Sequence, residues 1–282
     1  MNNDNSVKAM VREKYSAIAQ QEKETNESSC CGSGCCTVEN SAIMADEYSD
    51  MAGYNPDADL GLGCGLPTQF AKIKKGDVVI DLGSGAGNDA FIARHETGET
   101  GKVIGIDFTP AMIERARHNA EVRGFHNVEF RQGDIEKMPV TSNIADVIVS
   151  NCVLNLVPNK DGVFKEIYRV LKPGGHFSIS DIVLVGELPD TIRNAAEMYA
   201  GCVSGAIQKE VYLQLIESNK FKRLTVQKEK TILVPDDILR NYLSDDQIAA
   251  FRNSGAGIYS ITVYAEKPVA AEEVCCEPGC CN

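Results

Sequence analysis

From Asp77 onward, short apolar runs alternate with stretches that read as helices. The runs are Asp77–Leu82 (D-V-V-I-D-L), Lys102–Asp107 (K-V-I-G-I-D), Asn127–Gln132 (N-V-E-F-R-Q), Ala145–Ser150 (A-D-V-I-V-S) and His176–Asp181 (H-F-S-I-S-D). Such runs, bounded by turn residues, predict strands buried on both faces of a parallel sheet. Helices are predicted from Asn88 to Thr97, from Thr109-Pro110 to Gly124, and from Val163 to Leu171. Threonine can cap a helix, proline suits its first position, and glycine stops it. The run K-P-G-G closes the third helix. A repeated strand-helix order implies a parallel sheet with helices on both faces. Beyond Val185 the rhythm weakens. Helices are expected near residues 190–200 and 208–218, and strands at Leu224–Leu233 and Gly257–Glu266. At the other end, residues 6–22 read as a helix. The following E-T-N-E-S-S-C-C-G-S-G-C-C reads as loop, and Gly61–Pro67 (G-L-G-C-G-L-P) as a turn.

A length of 282 residues suits one large α/β domain, or a core with a smaller unit attached. The expected division is an N-terminal helix and Cys-rich segment (1–40), a cofactor-binding core (41–185), a substrate lobe (186–268) and a Cys-rich tail (269–282). An apolar share of 43% is enough for a full core. The net charge of −12 repels phosphate backbones and anionic membranes, which points to a small substrate rather than nucleic acid or lipid. Neither a signal peptide nor a membrane span is visible, so the cytoplasm, where thiols stay reduced, is the expected location.

The stretch Asp81–Gly87 (D-L-G-S-G-A-G) follows the first strand. Its G-x-G-x-G spacing lets a ligand approach the main chain. The nicotinamide fingerprint needs its third glycine one residue later, where this chain has Asn88. The spacing therefore suits a cofactor without a pyrophosphate. Asp81 can meet a cationic or amino group. Asp107, ending the second strand, can accept hydrogen bonds from ribose hydroxyls. Asp134 and Ile135 follow the third strand, where an adenine would lie, and Asn151 ends the fourth. The expected cofactor set is Asp81, Gly83, Ser84, Gly85, Gly87, Asp107, Met112, Asp134, Ile135 and Asn151. A glycine turn alone can be a tight connection with no ligand; the spaced acids outweigh that reading. Over about residues 70–185 the chain resembles the class I S-adenosylmethionine-dependent methyltransferases. This implies a Rossmann-like, seven-stranded, mostly parallel sheet with an antiparallel last strand, followed by a C-terminal substrate lobe.

The 11 cysteines fall into two clusters and three single positions. Cys30, Cys31, Cys35 and Cys36 form one C-C-x3-C-C cluster; Cys275, Cys276, Cys280 and Cys281 form the other. In a reducing compartment this pattern suggests binding of a soft ion, or redox work, rather than a disulfide framework. Cys64, Cys152 and Cys202 stand alone, and each by itself reads as a small buried hydrophobe. Cys64 and Cys152 gain weight from flanking the predicted cofactor turn.

The words around them carry a closer resemblance. G-L-G-C-G-L-P, V-I-G-I-D-F-T-P-A-M-I-E-R-A-R, S-N-C-V-L-N-L, R-V-L-K-P-G-G and S-D-I-V resemble the arsenite methyltransferases over most of residues 60–205. Leu66 departs from the asparagine usual in that family, which puts the local loop, not the neighbouring thiol, in question. The resemblance implies that Cys64, Cys152 and Cys202 bind trivalent arsenic as thiolates and leave its lone pair free to take the methyl group. It also implies a disulfide among the cysteines, with Cys35 or Cys36 as a further redox participant. Thioredoxin or glutathione would be the reductant, and arsenite or its thiol conjugates the substrate. The paired clusters stay open between arsenite capture, redox exchange, zinc, and no role; adjacent cysteines are poorer zinc spacing than C-x-x-C. Two rival functions remain open here: a methyltransferase of a small organic acceptor, and a non-enzymatic arsenite- or metal-binding protein.

Overall fold

The predicted strands all form, and they lie side by side in one sheet. The computed structural model describes residues 2–21, 47–189, 193, 203, 205–241 and 243–269. β1 (Val78–Leu82), β2 (Lys102–Asp107), β3 (Val128–Gln132), β4 (Ala145–Asn151) and β5 (Leu171–Val185) are parallel neighbours in the order 3-2-1-4-5. β6 (Lys222–Ile232) and β7 (Gly257–Glu266) extend the sheet to 3-2-1-4-5-7-6, with β7 antiparallel to both neighbours. The antiparallel strand at Gly257–Glu266 thus stands where it was expected, and this is the seven-stranded, mostly parallel fold that the resemblance implied. Residues 186–268 supply two strands of the sheet itself.

Alternation along the strands sorts the core into two layers. Val79, Val103, Val147 and Val149 face one side and pack on α3 (Asn88–Thr97) and α4 (Pro110–Val122). Ile80, Leu82, Ile104, Ile106 and Ile148 face the other and pack on α5 (Lys160–Val170) and α6 (Lys209–Ser218). Phe164 and Tyr212, both fully buried, meet edge-on in that layer. Burying side chains of this size stabilises by about 1.5–3 kcal/mol each. α1 (Asn2–Ile18) lies over α4, and the short α2 (Pro67–Phe70) follows the Gly61–Pro67 turn. α7 (Asp236–Leu239) and α8 (Asp245–Asn253) start at the two acid pairs of the C-terminal region. Ser244 caps α8 in a reciprocal box with Gln247. Among the described residues no helix is long and apolar enough to cross a membrane.

Three details differ from expectation. α1 begins at Asn2 rather than residue 6. The K-P-G-G run lies inside β5, whose Leu171 pairs with Ala145 across a bulge. The interrupted register there accommodates a proline that cannot donate to the ladder. Thr109 precedes α4 but makes no capping bond, and its hydroxyl is buried without a partner. Asp107 accepts the Thr109 N–H instead, at 2.8 Å. Of the helix expected near 190–200 only Arg193 is among the described residues, helical and donating its N–H to Pro189 O at 2.9 Å.

The strand order reverses between β1 and β4, each next to the other but leading to opposite halves of the sheet. In open α/β sheets the crevice beyond the carboxyl ends of strands at this point is where ligands bind.

Candidate active site

The turn after β1 is shaped by its glycines and its anchors. Ile106 on β2 accepts the N–H groups of Gly83 and Ser84 at 2.7 and 3.0 Å. Gly83 has φ +65°, and a Cβ there would lie 2.3 Å from Val153 Cγ2. Gly85 has φ +51°, and a Cβ there would meet nothing within 4 Å, because the residue faces a cavity. The Gly85 N–H donates to Asp107 Oδ2 at 3.0 Å. Asp107 is thereby held by one N–H on each oxygen, with lone pairs left for two hydroxyl donors. Gly87 leads into α3. Ser84 Oγ and Asn88 Oδ1 are buried without a protein partner, polar capacity that a ligand can meet.

The cavity is rich in carboxylates. Burial holds Asp81 well above the usual carboxylate range, and the charges of Asp89 and Asp107 add to it. Burial also raises Asp89, to about 6, against hydrogen bonds from Asn151, Tyr48 and Thr68. Asp107 is raised by burial too, against the N–H groups of Thr109 and Gly85. Desolvated carboxylates that ionise reluctantly gain from a cationic ligand. S-adenosylmethionine, with an ammonium and a sulfonium, fits this donor set, the open face of Gly85 and the two free acceptor positions of Asp107. Met112 and Ile135 line the same cavity as buried apolar walls. Asp134 lines it as well, with Oδ1 on the Glu136 N–H at 2.9 Å.

α1 closes one side of the cavity. Lys8 reaches Asp134 at 2.7 Å and also bonds Glu136. Partial burial lowers the Lys8 ammonium, and the two carboxylates more than reverse this, so it sits above its ordinary range. Tyr15 lines the cavity from the same helix. Arg115 on α4 anchors the chain after α1, donating to Ala19 O at 2.9 Å and Gln21 O at 2.8 Å.

Cys64 and Cys152 come together at the carboxyl edge of the sheet. They are 88 residues apart in sequence, their Cα atoms are 5.8 Å apart, and a disulfide joins them. The structure therefore shows as an oxidised pair two of the residues expected to act as thiolates; reduction must precede any ligation by them. Both are buried, in an apolar cluster with Ile182, Leu184, Val203, Leu239 and Ile258. Cys152 lines the cofactor cavity. Its backbone is left-handed, φ +58°, and its N–H donates to Ser180 O at 2.8 Å. The Cys64 carbonyl accepts from Ser260 Oγ at 2.6 Å.

Asn151, expected to touch cofactor, lines the cavity but directs its amide to the Cys64 loop. Sequence reasoning missed Lys8, Tyr15, Tyr48 and Asp89 as cavity residues. Asp89 carried a signal, a carboxylate in the first turn after the glycines; Tyr48 carried none. Cys202, Cys30, Cys31, Cys35, Cys36, Cys275, Cys276, Cys280 and Cys281 lie outside the described residues. Among the described residues no group of three or more His, Cys, Asp or Glu side chains could hold a metal ion.

Comparison with known proteins agrees with this geometry. Residues 73–225 match the family model described as a methyltransferase domain. The arsenite methyltransferase of Halobacterium salinarum is 39% identical over 272 residues, covering 92% of this chain and 66% of that protein. The arsenite methyltransferase of Aquipseudomonas alcaligenes is 31% identical over 242 residues, covering 83% of this chain and 68% of that protein. The crystal structure of an arsenic(III) S-adenosylmethionine methyltransferase from Chlamydomonas reinhardtii superposes with a TM-score of 0.62 at 35% identity, over 73% of this chain and 68% of that one. The matched region is thus about two thirds the length of these relatives. With its seven-stranded sheet, glycine turn, Asp107 and paired cysteines, the chain belongs to the arsenite methyltransferase family of class I S-adenosylmethionine-dependent methyltransferases.

Proposed function

We propose that this protein transfers a methyl group from S-adenosylmethionine to trivalent arsenic held on cysteine thiolates. One observation carries the reading: Cys64 and Cys152, from separate segments, meet at the edge of the cofactor cavity, and Cys152 lines it. The bound cofactor supplies an electrophilic methyl group on a positively charged sulfur. Asp81, Asp89 and Asp107 give the cavity the sign that favours a cation, and Asp107 orients the ribose. Asp134 and Ile135 receive the adenine. The apolar cluster around the two sulfurs keeps water from a soft, thiophilic substrate.

Cys202 is the proposed third ligand. Its neighbour in sequence, Val203, is buried in the same cluster as Cys64 and Cys152, which supports the assignment. Methyl transfer formally oxidises arsenic by two electrons. Two thiols can return those electrons by becoming a disulfide and releasing two protons, and Cys64 with Cys152 form such a disulfide. A dithiol reductant of the thioredoxin kind, or two molecules of glutathione, would reopen it.

The test supplies arsenite, S-adenosylmethionine and a thiol reductant, and reads methylated arsenicals by mass spectrometry. Product is expected, and single changes of Cys64, Cys152 or Cys202 to Ser should abolish it. Tight arsenite binding without product would make the protein a binder. Neither binding nor product would point to a small organic acceptor.

A further inference from the structure

The Cys64 loop has no regular structure of its own, so its position must come from what it touches. Behind it lies a hydrogen-bonded group of Asn151, Tyr48 and Asp89. Asn151 Oδ1 accepts the Cys64 N–H at 3.1 Å, and Asn151 Nδ2 donates to Gly65 O at 2.8 Å. One amide therefore grips two peptide groups, Gly63–Cys64 and Gly65–Leu66, that flank the peptide carrying Cys64's own carbonyl. Asn151 immediately precedes Cys152, so the side chain ties one sulfur's loop to the other sulfur's strand.

What holds Asn151 is a tyrosine and a carboxylate. Tyr48 is 5% exposed, and its hydroxyl lies 2.9 Å from Asp89 Oδ2 and 3.0 Å from Gly65 O. Asn151 Nδ2 also bonds the Tyr48 hydroxyl and lies 3.2 Å from Asp89 Oδ2. Thr68 donates to Asp89 Oδ1 at 3.4 Å. The donors and acceptors can be assigned without conflict. Tyr48 gives its single proton to Asp89, and Asn151 gives one proton to Gly65 O and the other to the tyrosine oxygen. The loop is packed directly on this group: a Cβ at Gly63 would lie 2.8 Å from Asn151 Nδ2 and 3.2 Å from Tyr48 Oη.

We propose that Tyr48 and Asp89 are positioning residues which, through Asn151, hold the Cys64 sulfur in register with Cys152 at the cofactor cavity. The proposal deepens the arsenite reading and rests on it for its effect on turnover, but its effect on the sulfur pair does not depend on arsenic. Losing the tyrosine hydroxyl leaves the Asn151 amide one acceptor short and held only through the loop itself and Asp89. The two sulfurs then spend less time within bonding distance, which lowers their effective concentration.

The experiment uses the full chain with Tyr48→Phe, which keeps the ring in its packing, and Asp89→Asn as a second variant of similar shape. Each is equilibrated in glutathione redox buffers, alkylated, and the Cys64–Cys152 bond quantified by peptide mass spectrometry. In this equilibrium the two protein thiols give two electrons and two protons to one glutathione disulfide, which leaves as two glutathione thiols. The expected result is a shift of about 5-fold or more toward the dithiol in both variants. With arsenite as substrate, kcat should fall by roughly 10- to 100-fold in both variants, while in Tyr48→Phe, which leaves the cavity charge untouched, KM for S-adenosylmethionine stays within about 3-fold, as expected when reacting groups are misplaced. An unchanged redox equilibrium in folded Tyr48→Phe and Asp89→Asn would overturn the proposal. So would a KM for cofactor raised about 10-fold with kcat intact, which would make Tyr48 a cofactor contact. A redox shift in a protein that methylates no arsenic would uphold the positioning role and sink the arsenite reading alone.

Discussion

Asp181 lies in the middle of β5, wholly buried, and its ionisation should make the protein less stable as pH rises. Its Oδ1 accepts the Ile182 N–H at 3.0 Å and its Oδ2 the Tyr212 hydroxyl at 3.3 Å. Burial pushes this carboxyl up from 3.8 to about 7, against the pull of the Lys160 ammonium, the Ile182 N–H and Tyr212. Between those values the folded protein keeps a proton that the unfolded chain has lost. The unfolded state thus binds fewer protons, and stability falls with rising pH over that interval. The whole interval corresponds to roughly 4 kcal/mol, of which roughly 2 kcal/mol falls between about pH 5.5 and about pH 8. Asp181→Asn places a neutral side chain of the same shape there. Urea unfolding of both proteins at the two pH values, with the disulfide intact, measures the difference. The wild type should lose about 2 kcal/mol more than the variant, and the variant should be the more stable at the higher pH. Equal losses in the two proteins would show that Asp181 is already ionised at the lower pH, and the argument from burial would fail.

Other substitutions probe the turn and the periphery. Asp107→Asn puts an NH2 against an N–H donor and removes the charge; S-adenosylmethionine affinity by calorimetry should weaken by roughly 10- to 100-fold, and a change under about 2-fold would remove Asp107 from the site. Gly83→Ala meets both a left-handed backbone and Val153, so thermal unfolding should show a loss of about 1–3 kcal/mol, partly recovered in the double variant with Val153→Ala. Ser244→Ala breaks the capping box of α8 and should cost about 1 kcal/mol in denaturant unfolding while cofactor affinity stays unchanged.

Much of the sheet was legible because a strand buried on both faces must be apolar throughout. β2 has the bounds read from the sequence, and β1, β3 and β4 differ from theirs by a residue. β5 was read short, since Lys-Pro-Gly-Gly looks like a helix stop, and only the bulge opposite Ala145 allows the strand to begin there. The glycine turn and Asp107 were readable because they sit at fixed steps from strand ends. Lys8 was not, because it meets Asp134 across 126 residues and nothing in its own helix marks it. Tyr48 was hidden for the same reason, its partners being Gly65, Asp89 and Asn151. Asn151 was placed at the right edge of the sheet, but its side chain faces the thiol loop, a choice that depends on which segment packs above it.

The left-handed backbone at Cys152 bears on why a cysteine occupies that position at all. Glycine and asparagine are at ease at φ near +58°, whereas a residue with an ordinary Cβ carries about 1 kcal/mol of strain there. Backbone preference alone would favour glycine here, so what keeps a cysteine at this position must come from its side chain, which is buried and joined to Cys64. In reduced protein, Cys152→Gly should be more stable than Cys152→Ala by about 1 kcal/mol in urea, although neither has a sulfur. The sulfur at 152 thus stands on a peptide unit whose own conformational preference runs against it.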